Sequence, residues 1–203
     1  MYFIANWKMY GDLALIKKVK NLKKLSKSKL LRKTNIIYCP PLPFIYPLIN
    51  LLRNSKIEVG AQNCDTHKDC GAFTGQINPR ILKNLGCKYI ILGHSETRLI
   101  GDSDKSINLK IKSSIKEKLK VIFCIGETLS QKKSGITNII LRKQIINGLK
   151  NIKNFQKIII AYEPVWSIGS GVIPKMSELE DTIENIRSIM RKNFGKKNIK
   201  ILY

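Results

Sequence analysis

The chain has 203 residues, of which 43% are hydrophobic, so it is long enough for one domain with a buried core and too apolar to be disordered. Lysine and arginine number 37 against 14 aspartates and glutamates, which gives a formal net charge of +23. The lysines are spread through every predicted helix, and no nucleic-acid recognition motif accompanies them. The charge therefore predicts solvated helix faces and weak, salt-sensitive attraction to polyanions, without a specific nucleic-acid partner.

Membrane insertion, secretion and metal binding are not supported by the sequence. The longest apolar runs, such as 121–125, are far too short to span a bilayer, and the first residues do not form a secretion signal. We therefore expect a cytoplasmic protein without membrane contact. The five cysteines are scattered without a C-x-x-C pair, and His67 and His94 are too far apart for a metal-binding repeat. Reduced thiols and no metal or cofactor are expected.

Seven short apolar runs, rich in β-branched residues, recur along the chain and predict strands that are buried on both faces. They are Tyr2–Asn6, Asn35–Cys39, Ile57–Gln62, Lys88–Gly93, Lys120–Ile125, Lys157–Glu163 and Asn198–Tyr203.

The segments between these strands carry helical periodicity, and each apolar stripe predicts a face that packs on the core. The stripes are Leu15, Val19 and Leu22; Ile107, Ile111 and Ile115; and Leu179, Ile183, Ile186 and Met190. Asp12 is a candidate N-cap for the first helix. The last helix is predicted to open on a capping box, Ser177-x-x-Glu180, and to end at Gly195.

Strands that alternate with helices predict right-handed βαβ units and a parallel sheet. An open doubly wound sheet and a closed barrel both fit seven strands at this spacing, and periodicity does not distinguish them. No G-x-G-x-x-G follows the first strand, so a dinucleotide-binding fold lacks its main support.

Polar side chains follow three of the predicted strands. The first strand ends in Asn6-Trp7-Lys8, the fourth in His94-Ser95-Glu96 and the sixth in Glu163-Pro164-Val165-Trp166. In a parallel barrel these positions would converge on the face where barrel enzymes have their active sites. A carboxylate, an imidazole, an amide and an ammonium group suit proton abstraction next to a carbonyl, with donors that stabilise the enediolate oxygen.

Several segments, in order along the chain, resemble the triosephosphate isomerase family. They are 5–9 (ANWKM), 59–63 (VGAQN), 71–75 (GAFTG), 91–96 (ILGHSE), 124–127 (CIGE) and 161–171 (AYEPVWSIGSG). The resemblance implies a single TIM (β/α)₈ barrel domain over 1–203, with about seven of the eight strands present. It also implies a glycolytic and gluconeogenic isomerase that interconverts dihydroxyacetone phosphate and D-glyceraldehyde 3-phosphate without a cofactor.

The same resemblance implies roles for five residues at the strand ends. Glu163 matches the general base of the family and His94 its electrophile. Lys8 and Asn6 match the pocket lysine and the pocket amide, which also bind substrate, and Glu96 matches a carboxylate linked to that lysine and to catalysis.

Two loops also match segments of the family. The segment from Pro164 to Pro174 resembles a lid loop, whose matching positions are Pro164, Val165, Trp166, Gly169 and Gly171, and the backbone N–H of Gly169 matches a phosphate-binding position. The loop from Asn63 to Asn78 resembles one that inserts into a partner subunit. A homodimer is therefore implied, with Thr74 near the neighbouring active site.

The sequence departs from the family pattern at two places that bear on activity. Pro174, near the second hinge of the lid, has no N–H for a closing hydrogen bond. The sequence ends at Tyr203, where family members of about 250 residues continue into a phosphate-binding Gly-Gly-Ser loop and a final helix-strand-helix segment. Two readings stay open: an isomerase by ancestry, or a non-catalytic remnant or basic binding protein.

Overall fold

The computed structural model describes residues 1–26, 28–31, 33–67 and 69–203. In this part of the chain, seven strands alternate with eight α-helices. The strands are β1 (Tyr2–Asn6), β2 (Asn35–Cys39), β3 (Ile57–Ala61), β4 (Tyr89–Leu92), β5 (Lys120–Ile125), β6 (Ile158–Tyr162) and β7 (Lys200–Leu202). The helices are α1 (Leu13–Leu25), α2 (Ile45–Leu52), α3 (Pro79–Leu85), α4 (Ser95–Leu99), α5 (Asp104–Lys116), α6 (Leu129–Lys133), α7 (Thr137–Gly148) and α8 (Met176–Phe194).

The strands follow one another in the sheet in chain order, from β1 to β7. Adjacent strands run parallel, with Ile4 opposite Ile37 between β1 and β2 and with Ile160 opposite Ile201 between β6 and β7. All seven predicted strands are confirmed. The observed strands β1, β2 and β5 have the predicted bounds. Strand β3 is shorter at one end, and β4, β6 and β7 are shorter at both ends, by one or two residues each time.

The chain divides into two compact units. The first contains residues 1–91 and 113–121, and the second contains residues 92–112 and 122–203. Each unit has fully buried apolar side chains, such as Ile37 and Leu48 in the first and Phe123 and Ile160 in the second. The single domain over 1–203 stays a prediction.

The helix ends agree with the predictions at two positions and disagree at a third. Asp12 caps α1, since its carboxylate accepts the backbone N–H of Leu15 at 2.6 Å. Helix α8 ends on Gly195, whose φ of 65° is the left-handed conformation that glycine adopts readily. The capping box at Ser177 is wrong, because α8 already begins at Met176 and Ser177 lies inside its first turn. A capping box that the sequence analysis missed starts α6 at Thr128.

Two of the predicted helix faces differ in detail from the expectation. In α1 the buried face centres on Ile16 and Val19, and Leu22 is 37% exposed. In α5 the solvated-lysine interpretation is wrong for Lys110, which is buried and lies 2.6 Å from Asp102. A lysine on a core-facing position of this helix is tolerated because it has a carboxylate partner.

None of the helices in the described ranges combines the length and the apolarity that a membrane crossing demands.

Candidate active site

The ends of β4 and β6 bring a histidine and a glutamate together in the second unit. After β4, Gly93 turns the backbone with a φ of 77°, and His94 becomes the residue that precedes α4. After β6, Glu163 follows directly. The His94 Nε2 atom lies 3.6 Å from the Glu163 Oε2 atom, and the histidine is only 5% exposed. The structure therefore places the predicted base and the predicted electrophile side by side.

The hydrogen bond on the other ring nitrogen assigns the tautomer of His94. The backbone N–H of Glu96 donates to His94 Nδ1 at 3.2 Å, so Nδ1 carries a lone pair. In a neutral imidazole the proton is then on Nε2, the atom that faces Glu163. The Glu96 carboxylate lies 3.5 Å from Nδ1, but this contact is not an ion pair while Nδ1 is an acceptor. The result is a neutral N–H donor beside a carboxylate.

Glu163 is held from strand β5. Its backbone N–H donates to the carbonyl of Ile125 at 2.8 Å, which continues the β5–β6 pairing past the end of β6. The Cys124 thiol donates to Glu163 Oε1 at 3.4 Å. One carboxylate oxygen thus contacts Cys124 while the other points to His94, so the orientation of the carboxylate is fixed by two neighbouring strands.

The side chain of Arg98 links the turn after β4 to strand β5. Its guanidinium donates to the carbonyl of Gly93 at 2.7 Å and to the carbonyl of Cys124 at 3.3 Å. It also pairs with Asp104 at 2.7 Å. Gly93 has to be a glycine here, because its φ is positive and a Cβ atom would come 3.0 Å from the Cys124 carbonyl oxygen. The sequence analysis missed Arg98, since an arginine one turn after a histidine carries no recognisable signal by itself.

The first residues of the lid segment 164–174 are bonded to Glu127, a buried glutamate. Glu127 is 1% exposed and accepts the Trp166 indole N–H at 2.8 Å and the Tyr162 hydroxyl at 3.2 Å. The backbone N–H of Val165 also donates to the carbonyl of Glu127 at 3.0 Å. Burial, and then the adjacent Glu127 carboxylate, raise the pKa of the Tyr162 phenol, so this hydroxyl stays a donor. The sequence analysis assigned Glu127 no role beyond its place in a resembling segment.

The rest of the lid is held by bonds within itself. Val165–Ser167 form a 3₁₀ turn, and the Ser167 hydroxyl donates to the carbonyl of Val172 at 2.7 Å. Gly169 and Gly171 have φ values of 68° and 73°, which few other residues adopt without strain. The backbone at both positions therefore favours glycine, while phosphate binding by Gly169 stays a prediction.

Asn6 and Lys8 lie in the first unit, in the turn that ends β1. The Asn6 side chain accepts the backbone N–H of Lys8 at 2.9 Å. Gln62 donates to the carbonyl of Lys8 at 2.7 Å and to the carbonyl of Cys39 at 2.9 Å. Lys8 has a φ of 51°, which is uncommon for a residue with a Cβ atom. These bonds fix the backbone from which the Lys8 side chain projects; the catalytic roles of both residues stay predictions.

The loop 63–78, which includes Lys68 outside the described residues, carries Thr74 at an exposed position. The ring of His67 stacks on Phe73, with the centroids 3.6 Å apart. The backbone N–H of Asp65 donates to the carbonyl of Ile77 at 2.8 Å and closes the base of the loop. The described residues of this loop are thus held by contacts within the loop, and its role in a dimer stays a prediction. Throughout the described ranges, no group of three or more histidine, cysteine or acidic side chains has the geometry of a metal site.

A neutral imidazole donor beside a carboxylate, both at the carboxyl ends of parallel strands, defines an α/β enzyme that works by acid–base chemistry. Comparison with known proteins agrees with this class. A sequence model described as triosephosphate isomerase matches residues 1–203. The triosephosphate isomerase of Carboxydothermus hydrogenoformans is 39% identical over 199 residues, which cover 96% of this chain and 78% of the relative. That of Zygosaccharomyces bailii is 36% identical over 207 residues, covering all of this chain and 82% of the relative.

The chain is also similar to a solved structure. The crystal structure of triosephosphate isomerase from Bartonella henselae superimposes with a TM-score of 0.88 at 29% identity, over all of this chain and 81% of that one. The chain therefore belongs to the triosephosphate isomerase family and is an isomerase. The predicted fold class, a TIM (β/α)₈ barrel, is confirmed, and the described residues supply seven of its strands. No observation favours the alternative that the sequence left open, a non-catalytic remnant or a basic binding protein.

Proposed function

We propose that this isomerase interconverts dihydroxyacetone phosphate and D-glyceraldehyde 3-phosphate by proton transfer through an enediolate, with Glu163 as the base and His94 as the electrophile. This reaction is a step of glycolysis and gluconeogenesis. The observation that carries the assignment of these two residues is the 3.6 Å approach of His94 Nε2 to Glu163 Oε2. A base and a neutral donor at this separation can act on two adjacent atoms of one small substrate.

The proton moves between two carbons by way of the Glu163 carboxylate. The carboxylate removes a proton from the carbon next to the carbonyl, and the electron pair of the C–H bond moves toward the carbonyl oxygen. The resulting enediolate takes the proton back on the neighbouring carbon. The hydroxyl proton on the first carbon's oxygen passes to the former carbonyl oxygen, so the ketose becomes an aldose without net oxidation. The Cys124 contact at 3.4 Å to the other carboxylate oxygen keeps Oε2 turned to the reacting carbons.

His94 supports the charge that develops on oxygen. Its Nε2–H is the donor that faces the site, because the Glu96 N–H occupies Nδ1. A donor that is already oriented stabilises an enediolate oxygen more than the carbonyl oxygen from which it forms. A neutral imidazole also places no positive charge of its own next to the Glu163 carboxylate.

The family resemblance supports binding roles for further residues. Lys8 supplies a positive charge for the anionic substrate, Asn6 shapes the turn from which Lys8 projects, and the backbone N–H of Gly169 is available to a phosphate group. The backbone N–H of Glu96 donates to His94 Nδ1, and the Glu96 carboxylate lies 3.5 Å from the same atom. The lid 164–174 would exclude water from the enediolate when it covers the substrate.

The exposed position of Thr74 in the ordered loop 63–78 supports a homodimer in which this loop reaches a second copy. We place the enzyme in the cytoplasm, where its phosphorylated substrate is found. The absence of a recognition motif in the sequence supports a chain without a specific nucleic-acid partner.

Steady-state isomerisation of glyceraldehyde 3-phosphate tests the proposal. Glu163→Gln keeps the size of the side chain but removes the base, so kcat should fall by about 10²–10⁴-fold, the usual range for the loss of a general base. Glu180→Gln is the matched control, because it removes a carboxylate from an exposed position of α8. Equal rates for the two variants, or wild-type activity in Glu163→Gln, would overturn the assignment.

A further inference from the structure

A lysine on the short helix α6 contacts one residue near the start of the lid and one residue past its end. The Lys132 Nζ atom lies 3.8 Å from the centroid of the Trp166 ring, at the start of the lid. The same atom lies 2.7 Å from Glu178 Oε2, in the first turn of α8 and just past the end of the lid at Pro174. A single ammonium group outside the lid therefore joins Trp166, near the start of the lid, to Glu178, past its end.

The indole of Trp166 is held at its edge and on its face by two different groups. Its Nε1–H donates to Glu127 at 2.8 Å, and the ammonium of Lys132 covers the ring. A cation over an indole face is the most favourable geometry for a cation–π contact. Because Glu127 and Lys132 both lie between β5 and α7, this connection fixes the base of the lid.

The lid tip is exposed in this conformer. Ile173 is 80% exposed, and Val172 is more than half exposed. Among the described residues, and apart from the glycine itself and its two chain neighbours, no atom lies within 4 Å of the position that a Cβ would take at Gly169 or at Gly171. Large apolar side chains at the tip are thus left in solvent, and a lid that covered a substrate would have to bury such groups. The contacts of Lys132 belong to the conformer that lets substrate enter.

A cavity beside Trp166 gives the indole space to move. It has a volume of about 320 Å³ and is lined by Trp166, Tyr162 and Lys132, together with Pro174 and Thr182. Movement of the lid base into this space would break the ring contact with Lys132 or draw the ammonium away from Glu178.

We propose that Lys132 is a positioning residue that holds the lid in its exposed conformer, by covering Trp166 while it is bonded to Glu178. The proposal rests on the lid function proposed above. The lid has to lose one of these two contacts before it closes, so Lys132 lowers the population of the closed lid and weakens the binding of any ligand that requires closure.

The first test needs no ligand. The chain has two tryptophans, so a Trp7→Phe background leaves Trp166 as the only indole fluorophore. In this background Lys132→Met should increase acrylamide quenching of Trp166. Lys133→Met is the matched control, because Lys133 lies on the same helix, is exposed and carries the same charge. Identical quenching in the two variants would overturn the proposal.

The second test measures lid closure by a ligand. Phosphoglycolate carries the substrate phosphate and a carboxylate in place of the enediolate. Lys132→Met should bind it about 3- to 5-fold more tightly than Lys133→Met, which is the size expected for a cation–π contact combined with one exposed ion pair. The KM for glyceraldehyde 3-phosphate should fall by a similar factor. Glu178→Gln should show a smaller effect in the same direction relative to Glu180→Gln.

Both Lys132→Met and Lys133→Met lose one positive charge, which weakens anion binding in each. The difference between them therefore reports the contact of Lys132 with Trp166 and Glu178. Equal or weaker binding by Lys132→Met would refute the proposal. If the wild-type enzyme showed no isomerisation while the quenching difference persisted, the proposed function would fail and the role of Lys132 would stand.

Discussion

The strand ends that carry His94 and Glu163 differ from the lid in where their hydrogen bonds go. Glu163 is bonded to Cys124 on strand β5, 39 residues earlier in the chain. Arg98 bonds the carbonyl of Gly93 and also that of Cys124, which lies 26 residues further along the chain. The lid segment instead bonds to itself, as between Ser167 and Val172, and its bonds to other elements in the described part of the chain lie near its base. The proposed catalytic groups are thus held by distant parts of the unit, while the proposed lid is held locally.

This contrast predicts that removal of a long-range contact at the strand ends lowers the free energy of unfolding more than removal of a contact at the base of the lid. Arg98→Met would leave the carbonyls of Gly93 and Cys124 and the Asp104 carboxylate without the guanidinium. We expect the free energy of unfolding to fall by about 2–4 kcal/mol, because a partly buried ion pair and two further bonds are lost together. Urea unfolding measures this change, and kcat should fall as well because the turn before His94 loosens.

Arg142→Met controls for the loss of one positive charge, since Arg142 is exposed. Within the described residues, its side chain makes one hydrogen bond, to the Asn193 side chain at 3.4 Å. If both arginine variants unfolded at the same urea concentration, Arg98 would not be the tie that this geometry implies.

A smaller effect is expected at the base of the lid. Trp166→Phe removes the N–H that donates to Glu127 and leaves the Tyr162 hydroxyl as the remaining side-chain donor to this carboxylate in the described structure. The free energy of unfolding should fall by about 1–2 kcal/mol, the cost of one lost bond to a buried charged group. Thermal unfolding, compared with Trp7→Phe as the matched indole deletion, measures the difference. Equal melting temperatures would show that the bond to Glu127 does not anchor the lid.

The comparison also shows which features the sequence could predict. All seven strands, and the positions of His94 and Glu163 at two strand ends, follow from apolar runs and the polar residues that end them. Arg98, Cys124 and Glu127 could not be predicted in the same way. Their roles come from bonds to backbone and side chains on other strands, which leave no periodic pattern in the chain.

The two incorrect predictions, the capping box at Ser177 and the exposure of Lys110, also depend on features that local spacing does not show. Ser177-x-x-Glu180 has the spacing of a capping box, but the helix starts two residues too early to use it. Lys110 falls in a helix whose lysines were all expected in solvent, and only the nearby Asp102 explains its burial. Local spacing predicts the presence of a helix better than it predicts where the helix begins or which of its charged groups is paired.

The central claim is that a neutral His94 presents its Nε2–H toward Glu163, and ¹⁵N NMR of the histidine ring tests it most directly. The chain has two histidines, so His67→Asn leaves His94 as the only imidazole signal. At pH 8 we expect a protonated Nε2 and an unprotonated Nδ1 that accepts the Glu96 N–H. A proton on Nδ1, or an imidazolium at that pH, would contradict the account.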